Sequence, residues 1–253
     1  MQDFIAVLDF GSQYAHLIAK RIRHLGAYTK IFSPSAKENL LQDAKGIVLS
    51  GGPASVYSTD IPHFNSKILY LDLPILGLCY GHQLIAKEFG GAIANTGKGE
   101  FGKAILQQTS DFPLWQNVSF PNQVWMSHQD SVTKCPPDFE VTGVTESGNV
   151  AAMRHRKRRI YTLQFHPEVN DTEQGQKMLD NFINTCEISS KWSMETFIKE
   201  TTERLQLEVG ERKVLMFISG GVDSSVAFAL LYRVLRRDQM LGLYIDNGFI
   251  RKD

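Results

Sequence analysis

The stretch Pro74-Ile75-Leu76-Gly77-Leu78-Cys79-Tyr80-Gly81-His82-Gln83 limits what the chain can fold into more than any other. An apolar run of strand length ends at a Gly-x-Cys-x-Gly turn, and Leu84, Ile85, Lys87, Glu88 and Phe89 then carry the pattern of a helix. Gly77 and Gly81 let the backbone turn sharply and let neighbouring elements approach. The N-terminal part repeats the alternation. Residues 4–8 read as a buried strand, Asp9-Phe10-Gly11-Ser12 as a turn, and a helix follows with Tyr14, Leu17, Ile18, Ile22 and Leu25 on one face and Gly26 at its C-cap. Residues 28–32 predict a second strand, 37–41 a short helix and 46–49 a third strand. Such alternation predicts an open, mostly parallel α/β sheet with helices on both faces. Its working groups should collect at the carboxyl ends of the strands. From residue 92 to 164 short strands and turns prevail, and 141–145, 150–154 and 160–164 are expected to append antiparallel strands to the sheet.

Cys79 falls where a strand turns into a helix, the layout of a nucleophile elbow with a thiol in place of a hydroxyl. Free N–H groups and the helix dipole favour a thiolate there, which makes Cys79 the candidate nucleophile. The turn alone leaves open a second reading, a small buried thiol. Partners are therefore sought elsewhere, and Gln164-Phe165-His166-Pro167-Glu168-Val169 supplies them. In an extended segment residues two apart face the same side, so His166 and Glu168 would project together while Pro167 stiffens the link. A carboxylate beside an imidazole orients the ring and raises its basicity. His128 with Asp130, in Met126-Ser127-His128-Gln129-Asp130, is the second-ranked pair. Ser50-Gly51-Gly52-Pro53 follows the third strand, and its Gly-Gly turn can present backbone N–H groups to an oxyanion or be a plain turn.

Lysine plus arginine and aspartate plus glutamate both number 27, so no global field draws the chain to nucleic acid or an anionic membrane. The basic run Arg154-His155-Arg156-Lys157-Arg158-Arg159 lies at an expected hairpin tip without aromatics and reads as solvated. Cys79, Cys135 and Cys186 are an odd, widely spaced set that gives neither a disulfide framework nor a CxxC zinc site, which fits a reducing cytoplasm. No window approaches eighteen apolar residues and the N-terminus lacks a basic segment followed by an apolar one. Neither a signal peptide nor a membrane span is expected.

Residues 174–185 predict a helix that buries Met178, Leu179, Phe182 and Ile183. A polar stretch, 187–193, reads as a linker, and an amphipathic helix with Met194, Phe197, Ile198 and Leu205 follows. This divides the chain into a domain at 1–188, a linker and helix at 189–210, and the start of a second α/β nucleotide-binding domain at 211–253. There, 213–218 read as a strand, Ser219-Gly220-Gly221-Val222-Asp223-Ser224-Ser225 as a loop and 226–235 as a helix. A glycine-rich loop between strand and helix makes an anion cradle from backbone N–H groups. The loop lacks the Gly-Lys-Ser/Thr of a Walker A motif. Its plainer role is a helix cap by Asp223 or Ser224.

Gly77-Leu78-Cys79-Tyr80-Gly81 with His166-Pro167-Glu168 resembles the triad (class I) glutamine amidotransferases, and the loop 219–225 resembles the PP-loop of the N-type ATP pyrophosphatases. The two in this order, with Leu8-Asp9-Phe10-Gly11-Ser12-Gln13-Tyr14 and Gly46-Ile47-Val48-Leu49-Ser50-Gly51-Gly52-Pro53, resemble the glutamine-hydrolysing GMP synthetases along essentially the whole chain. The resemblance implies that Cys79 attacks the side-chain amide of glutamine, with His166 as general base and acid and Glu168 orienting it. It implies that the backbone N–H groups of Gly52 and Tyr80 hold the oxyanion, and that Gln83, Ser127 and His128 recognise glutamine. Ammonia would pass to a second domain where ATP, with Mg²⁺, activates XMP. The loop Ser219 to Ser225 would cradle the pyrophosphate. Asp246-Asn247-Gly248 matches a second strand end of that domain.

Four positions depart from the family pattern: Gln129 where glycine is usual, Asn170-Asp171 in place of Thr-His, and His82 where methionine is common. The family continues past the position of Asp253 through the rest of the pyrophosphatase domain and a C-terminal domain that completes the XMP site and a homodimer. The chain is accordingly expected to be a fragment that hydrolyses glutamine at most and makes no GMP. Two other readings compete: an amidotransferase serving a different synthetase, against which the PP-loop argues, and a non-catalytic binding module, against which the intact Cys, His and Glu set argues.

Overall fold

The computed structural model describes residues 3–52, 55–57, 63–95, 97, 99–189 and 191–245. Pro53 and Asp246-Asn247-Gly248, singled out in the sequence, lie outside them. The chain divides into two compact units, residues 1–191 and 192–253.

The first unit opens with β1 (Phe4–Leu8), α1 (Ala15–His24), β2 (Thr29–Phe32), β3 (Ala44–Leu49) and β4 (Ile75–Leu78). Residues 38–41, expected as a short helix, form one tight 3-10 turn. β1 is buried along its whole length, and the period of two deals its side chains to opposite faces. Ile5 and Val7 enter one apolar cluster. Phe4, Ala6 and Leu8 enter another. Leu76 and Leu78 of β4 likewise oppose Ile75. Burial on both faces is what a sheet covered by helices requires. α1 supplies Ala15, Ile18, Ala19 and Ile22 to the first cluster. It gives way at Leu25 and the left-handed Gly26 (φ 92°). On the opposite face, α2 (Tyr80–Glu88) supplies Tyr80, Leu84, Ile85 and Ala86.

The remaining strands are β5 (Ala92–Ala94), β6 (Glu100–Gln108), β7 (Asn122–His128), β8 (Ser131–Lys134), β9 (Phe139–Thr145), β10 (Val150–His155) and β11 (Ile160–Leu163). β5 and β8 form a small antiparallel pair of their own. Among the described residues the main sheet has nine strands in the order β2-β1-β3-β4-β11-β10-β9-β6-β7. Its first five strands run parallel and the other four extend it antiparallel. One expectation is corrected here. β11, foreseen as an antiparallel addition, is antiparallel only to β10 and lies parallel to β4, with Leu163 opposite Leu78. Its four residues are all buried, the mark of an interior parallel strand rather than an edge. α3 (Gly175–Thr185) then returns over the first cluster with Met178, Leu179, Phe182 and Ile183, as its 3.6-residue period predicts.

The basic run closes the β10–β11 hairpin. Arg154 and Arg156 pair with Glu140, Arg159 with Glu187, and Arg158 lies over the Tyr70 ring. These are half-exposed pairs at a hairpin tip, as the sequence suggested.

The second unit consists of α4 (Met194–Val209), β12 (Val214–Ile218), α5 (Val222–Val234) and β13 (Met240–Tyr244). β12 and β13 form a two-stranded parallel sheet. α4 is capped by the Ser193 hydroxyl, which accepts the Thr196 N–H at 3.1 Å. No residue of α4 is fully buried, and Met194 is exposed.

Candidate active site

Four adjacent parallel strands end on one rim of the sheet, and the chemistry collects there. β1 leads into Gly11 to Tyr14, β3 into Gly51 and Gly52, β4 into Cys79 and β11 into His166. The register fixes this: Leu8 lies opposite Leu49, Leu49 opposite Gly77, and Leu78 opposite Leu163. The Cys79 N–H continues the β4–β11 ladder by donating to the Leu163 carbonyl at 2.8 Å. Ladder pairing is therefore what brings two segments so far apart in sequence to one place.

The elbow at Cys79 has the tight packing that its glycines foretold. A Cβ on Gly77 would stand 2.6 Å from the Gly81 carbonyl oxygen, and one on Gly81 would stand 2.6 Å from the Leu49 carbonyl oxygen. Only hydrogen fits at either position, so β3, β4 and α2 close up around the turn. Cys79 itself adopts φ 51° and ψ −101°, a conformation that L side chains rarely take. The thiol is thereby aimed into the cleft from the N-cap of α2, and Sγ lies 3.7 Å from the Ser127 carbonyl.

The His166 Nδ1–H donates to Glu168 Oε1 at 2.7 Å, which leaves Nε2 for the Cys79 thiol within hydrogen-bonding reach. The His166 ring is 2% exposed and Glu168 is wholly buried. Burial alone would push the imidazole pKa down; the Glu168 carboxylate and the Cys79 hydrogen bond outweigh it and hold the pKa well above its ordinary value. Pro167 and Glu168 lie in a turn rather than the extended segment foreseen from spacing. The pair still forms because the turn curls the carboxylate back onto the ring.

The cleft occupies about 800 Å³ and is bounded by Tyr14, Gly52, Tyr80, Gln83, Ser127 and Asp130, among others. A thiol and an imidazole lining such a cleft, the ring oriented by a buried carboxylate behind it, can attack a carbonyl carbon and carry a proton to the leaving group. Residues 6–186 match the family described as glutamine amidotransferase class-I. The chain belongs to the class-I glutamine amidotransferases. It is also similar to a GMP synthase (glutamine-hydrolysing) from Bacillus cytotoxicus, 43% identical over 99% of this chain and 49% of the relative. One from Campylobacter hominis is 45% identical over 98% and 49%. The chain spans about half the length of such curated relatives. In the crystal structure of a candidate GMP synthase subunit from Thermoplasma acidophilum the same fold recurs with TM-score 0.66 and 29% identity, covering 80% of this chain and 98% of that one.

The other candidate residues of this amidotransferase fall as follows. Gly52 touches Tyr80: a Cβ on it would lie 3.2 Å from the Tyr80 ring and 3.2 Å from the Phe10 carbonyl. Tyr80 begins α2, so its N–H is one of the donors a helix leaves free. Gln83 lines the cleft with its amide NH₂ already donated to the Asp130 carbonyl (2.7 Å) and Gln164 (3.2 Å). His128 is engaged on both nitrogens, by the Asp130 carbonyl at 2.9 Å and Glu100 Oε2 at 3.1 Å. Thus the second-ranked pair does not form as read from spacing: His128 meets the Asp130 backbone, while the Asp130 carboxylate accepts from Ser55.

Sequence reasoning missed Glu100, Tyr14 and Arg21. Burial would raise the Glu100 pKa, but hydrogen bonds from His128, Ser147, Thr145 and Asn149 bring it down to about 2. The Tyr14 ring lies 4.8 Å from the His166 ring. Arg21 Nε donates to the Glu168 carbonyl at 2.8 Å.

In the second unit, Gly220 takes φ 77° and Gly221 is the N-cap of α5, with no side-chain cap. Asp223 and Ser224 therefore do not cap the helix as expected. Ser224 and Ser225 instead donate to the Gly221 carbonyl at 3.1 and 2.8 Å, and Ser219 Oγ contacts Ser224 Oγ. The loop's serines tie it to itself: Ser219 Oγ also accepts the Gly221 N–H at 3.4 Å, and the Ser225 N–H donates to the Gly221 carbonyl at 3.1 Å. Among the described residues no helix is long and apolar enough to cross a membrane.

Proposed function

We propose that the chain is the glutamine-hydrolysing part of a GMP synthase, with an amidotransferase domain at 1–188, a linker and helix at 189–210, and the beginning of an ATP pyrophosphatase domain at 211–253. One observation carries the reading: Cys79, His166 and Glu168 meet at the rim where their strands end.

His166 Nε2 takes the thiol proton, and the Cys79 sulfur attacks the side-chain carbonyl carbon of glutamine. Gly52 and Tyr80 N–H groups hold the resulting oxyanion, a contribution of roughly 3–4 kcal/mol per donor. The imidazolium returns the proton to nitrogen as the C–N bond breaks, ammonia leaves, and a thioester remains. Water, deprotonated by His166, then releases glutamate. Glu168 keeps the ring in the tautomer that this sequence needs. Gln83 offers its side-chain carbonyl to the substrate, and Ser127 and His128 contribute the strand edge beside it, since the His128 ring nitrogens are spoken for.

In the longer protein the ammonia would meet XMP activated by ATP, making the whole a carbon–nitrogen ligase of purine biosynthesis that works in the cytoplasm as a homodimer. Ser219-Gly220-Gly221-Val222-Asp223-Ser224-Ser225 would cradle the pyrophosphate at the N-terminus of α5. The left-handed Gly220 and the bare Gly221 cap suit a backbone anion site. Among the described residues no group of three or more His, Cys, Asp or Glu could hold a metal. Magnesium would accompany the triphosphate, where it neutralises charge.

Glutamine hydrolysis by the chain tests the first half of the reading. Cys79→Ala and His166→Ala should each lower kcat by about a thousandfold or more. Hydrolysis that survives either change would refute it. Supplying XMP and ATP to the chain alone should yield no GMP.

A further inference from the structure

Thr172 lies six residues beyond His166 and is 4% exposed. Its hydroxyl donates to the His166 carbonyl at 2.6 Å and accepts the Trp125 N–H at 3.0 Å. The His166 N–H in turn donates to the Trp125 carbonyl at 3.0 Å. Three bonds thus close a small ring that joins the backbone of the His166 turn to β7. Trp125 is two residues from Ser127, whose carbonyl receives the Cys79 thiol.

We infer that Thr172 is a positioning residue, whose hydroxyl locks the imidazole of His166 in line with the Cys79 sulfur by tying its backbone to the strand that borders the cleft. The inference rests on the reading of His166 as the general base. No other side-chain hydrogen bond reaches the His166 backbone among the described residues. Valine at this position would keep the shape and lose both bonds. A misplacement of the base near 1 Å would then be felt in the chemical step more than in substrate binding.

Iodoacetamide alkylates a thiolate without needing a glutamine pocket, so alkylation of Cys79, read by mass spectrometry at neutral pH, reports the Cys79–His166 alignment directly. In the full chain, Thr172→Val and Thr172→Ala should slow alkylation and lower kcat for glutamine hydrolysis, each by about tenfold, with KM changed less than about twofold. Thr172→Ser, which retains the hydroxyl, should restore both. A merely loosened fold would expose the thiol and speed alkylation. Wild-type rates in the hydroxyl-free variants, faster alkylation, or a serine variant as slow as valine would overturn the inference. So would failure of both hydroxyl-free variants to fold, since the hydroxyl would then serve the fold at large. His166→Ala separates the two readings: if it leaves alkylation and hydrolysis intact, the general-base assignment fails whatever Thr172 does.

Discussion

His82 is fully buried in the helix that follows Cys79, and its Nδ1–H meets Thr162 Oγ1 at 2.8 Å while Nε2 has no partner among the described residues. Burial, with the charge of His128 second, holds its pKa down to about 3. The unfolded chain takes up this proton below about pH 6.5, whereas the folded chain refuses it until about pH 3. Stability from this residue is therefore present above pH 6.5 and lost as pH falls through that window. At pH 5 the penalty is on the order of 2 kcal/mol. His82→Met should remove it, so the variant's melting temperature relative to the parent should rise from pH 8 to pH 5. An unchanged difference between the two pH values would refute the argument. The His166–Glu168 pair was readable because it is local, two positions apart. Glu100 was not, because it reaches His128 only through the register that sets the two opposite each other on β6 and β7. Nothing in a linear reading encodes that pairing.

Elements hold the His166 turn from the other side as well. α3 starts at Gly175, where a Cβ would collide with the Pro167 carbonyl oxygen and stand 2.8 Å from its carbon. Either the helix start or the turn would have to move. Gly175→Ala should therefore cost about 1–3 kcal/mol of stability and lower kcat for glutamine hydrolysis, because Pro167 separates His166 from Glu168. A variant with the parent's melting temperature and rate would show that the contact is slack. The helices and the parallel strands were legible from their periods, since burial on one stripe or on both faces leaves a mark in composition. The direction of β11 was not. A run of four buried residues reads alike whether its neighbours are parallel or antiparallel, and only the pairing with β4 decides.

At the scale of the whole molecule, the two apolar clusters among the described residues are built within the first unit. Residues 1–191 contain every group that we place around Cys79. Expressed alone, this segment should unfold cooperatively, melt within about 4–8 °C of the parent's first unit, and keep its glutaminase rate. Aggregation, or loss of the melting transition, would mean that the second unit supports the first. The exposure of α4 is not legible in the sequence, because its apolar spacing is that of any packed helix.

A left-handed cysteine in the elbow has one more consequence. Holding an L residue at φ 51° costs on the order of 1–3 kcal/mol, and glycine would be relieved of it. Cys79→Gly should thus yield a catalytically silent protein that withstands heat better than the working one, whereas Cys79→Ala, silent too, should gain nothing of the kind. Durability and reactivity would then be rivals at a single atom's address, and comparing the melting of these two inert proteins would measure the rivalry.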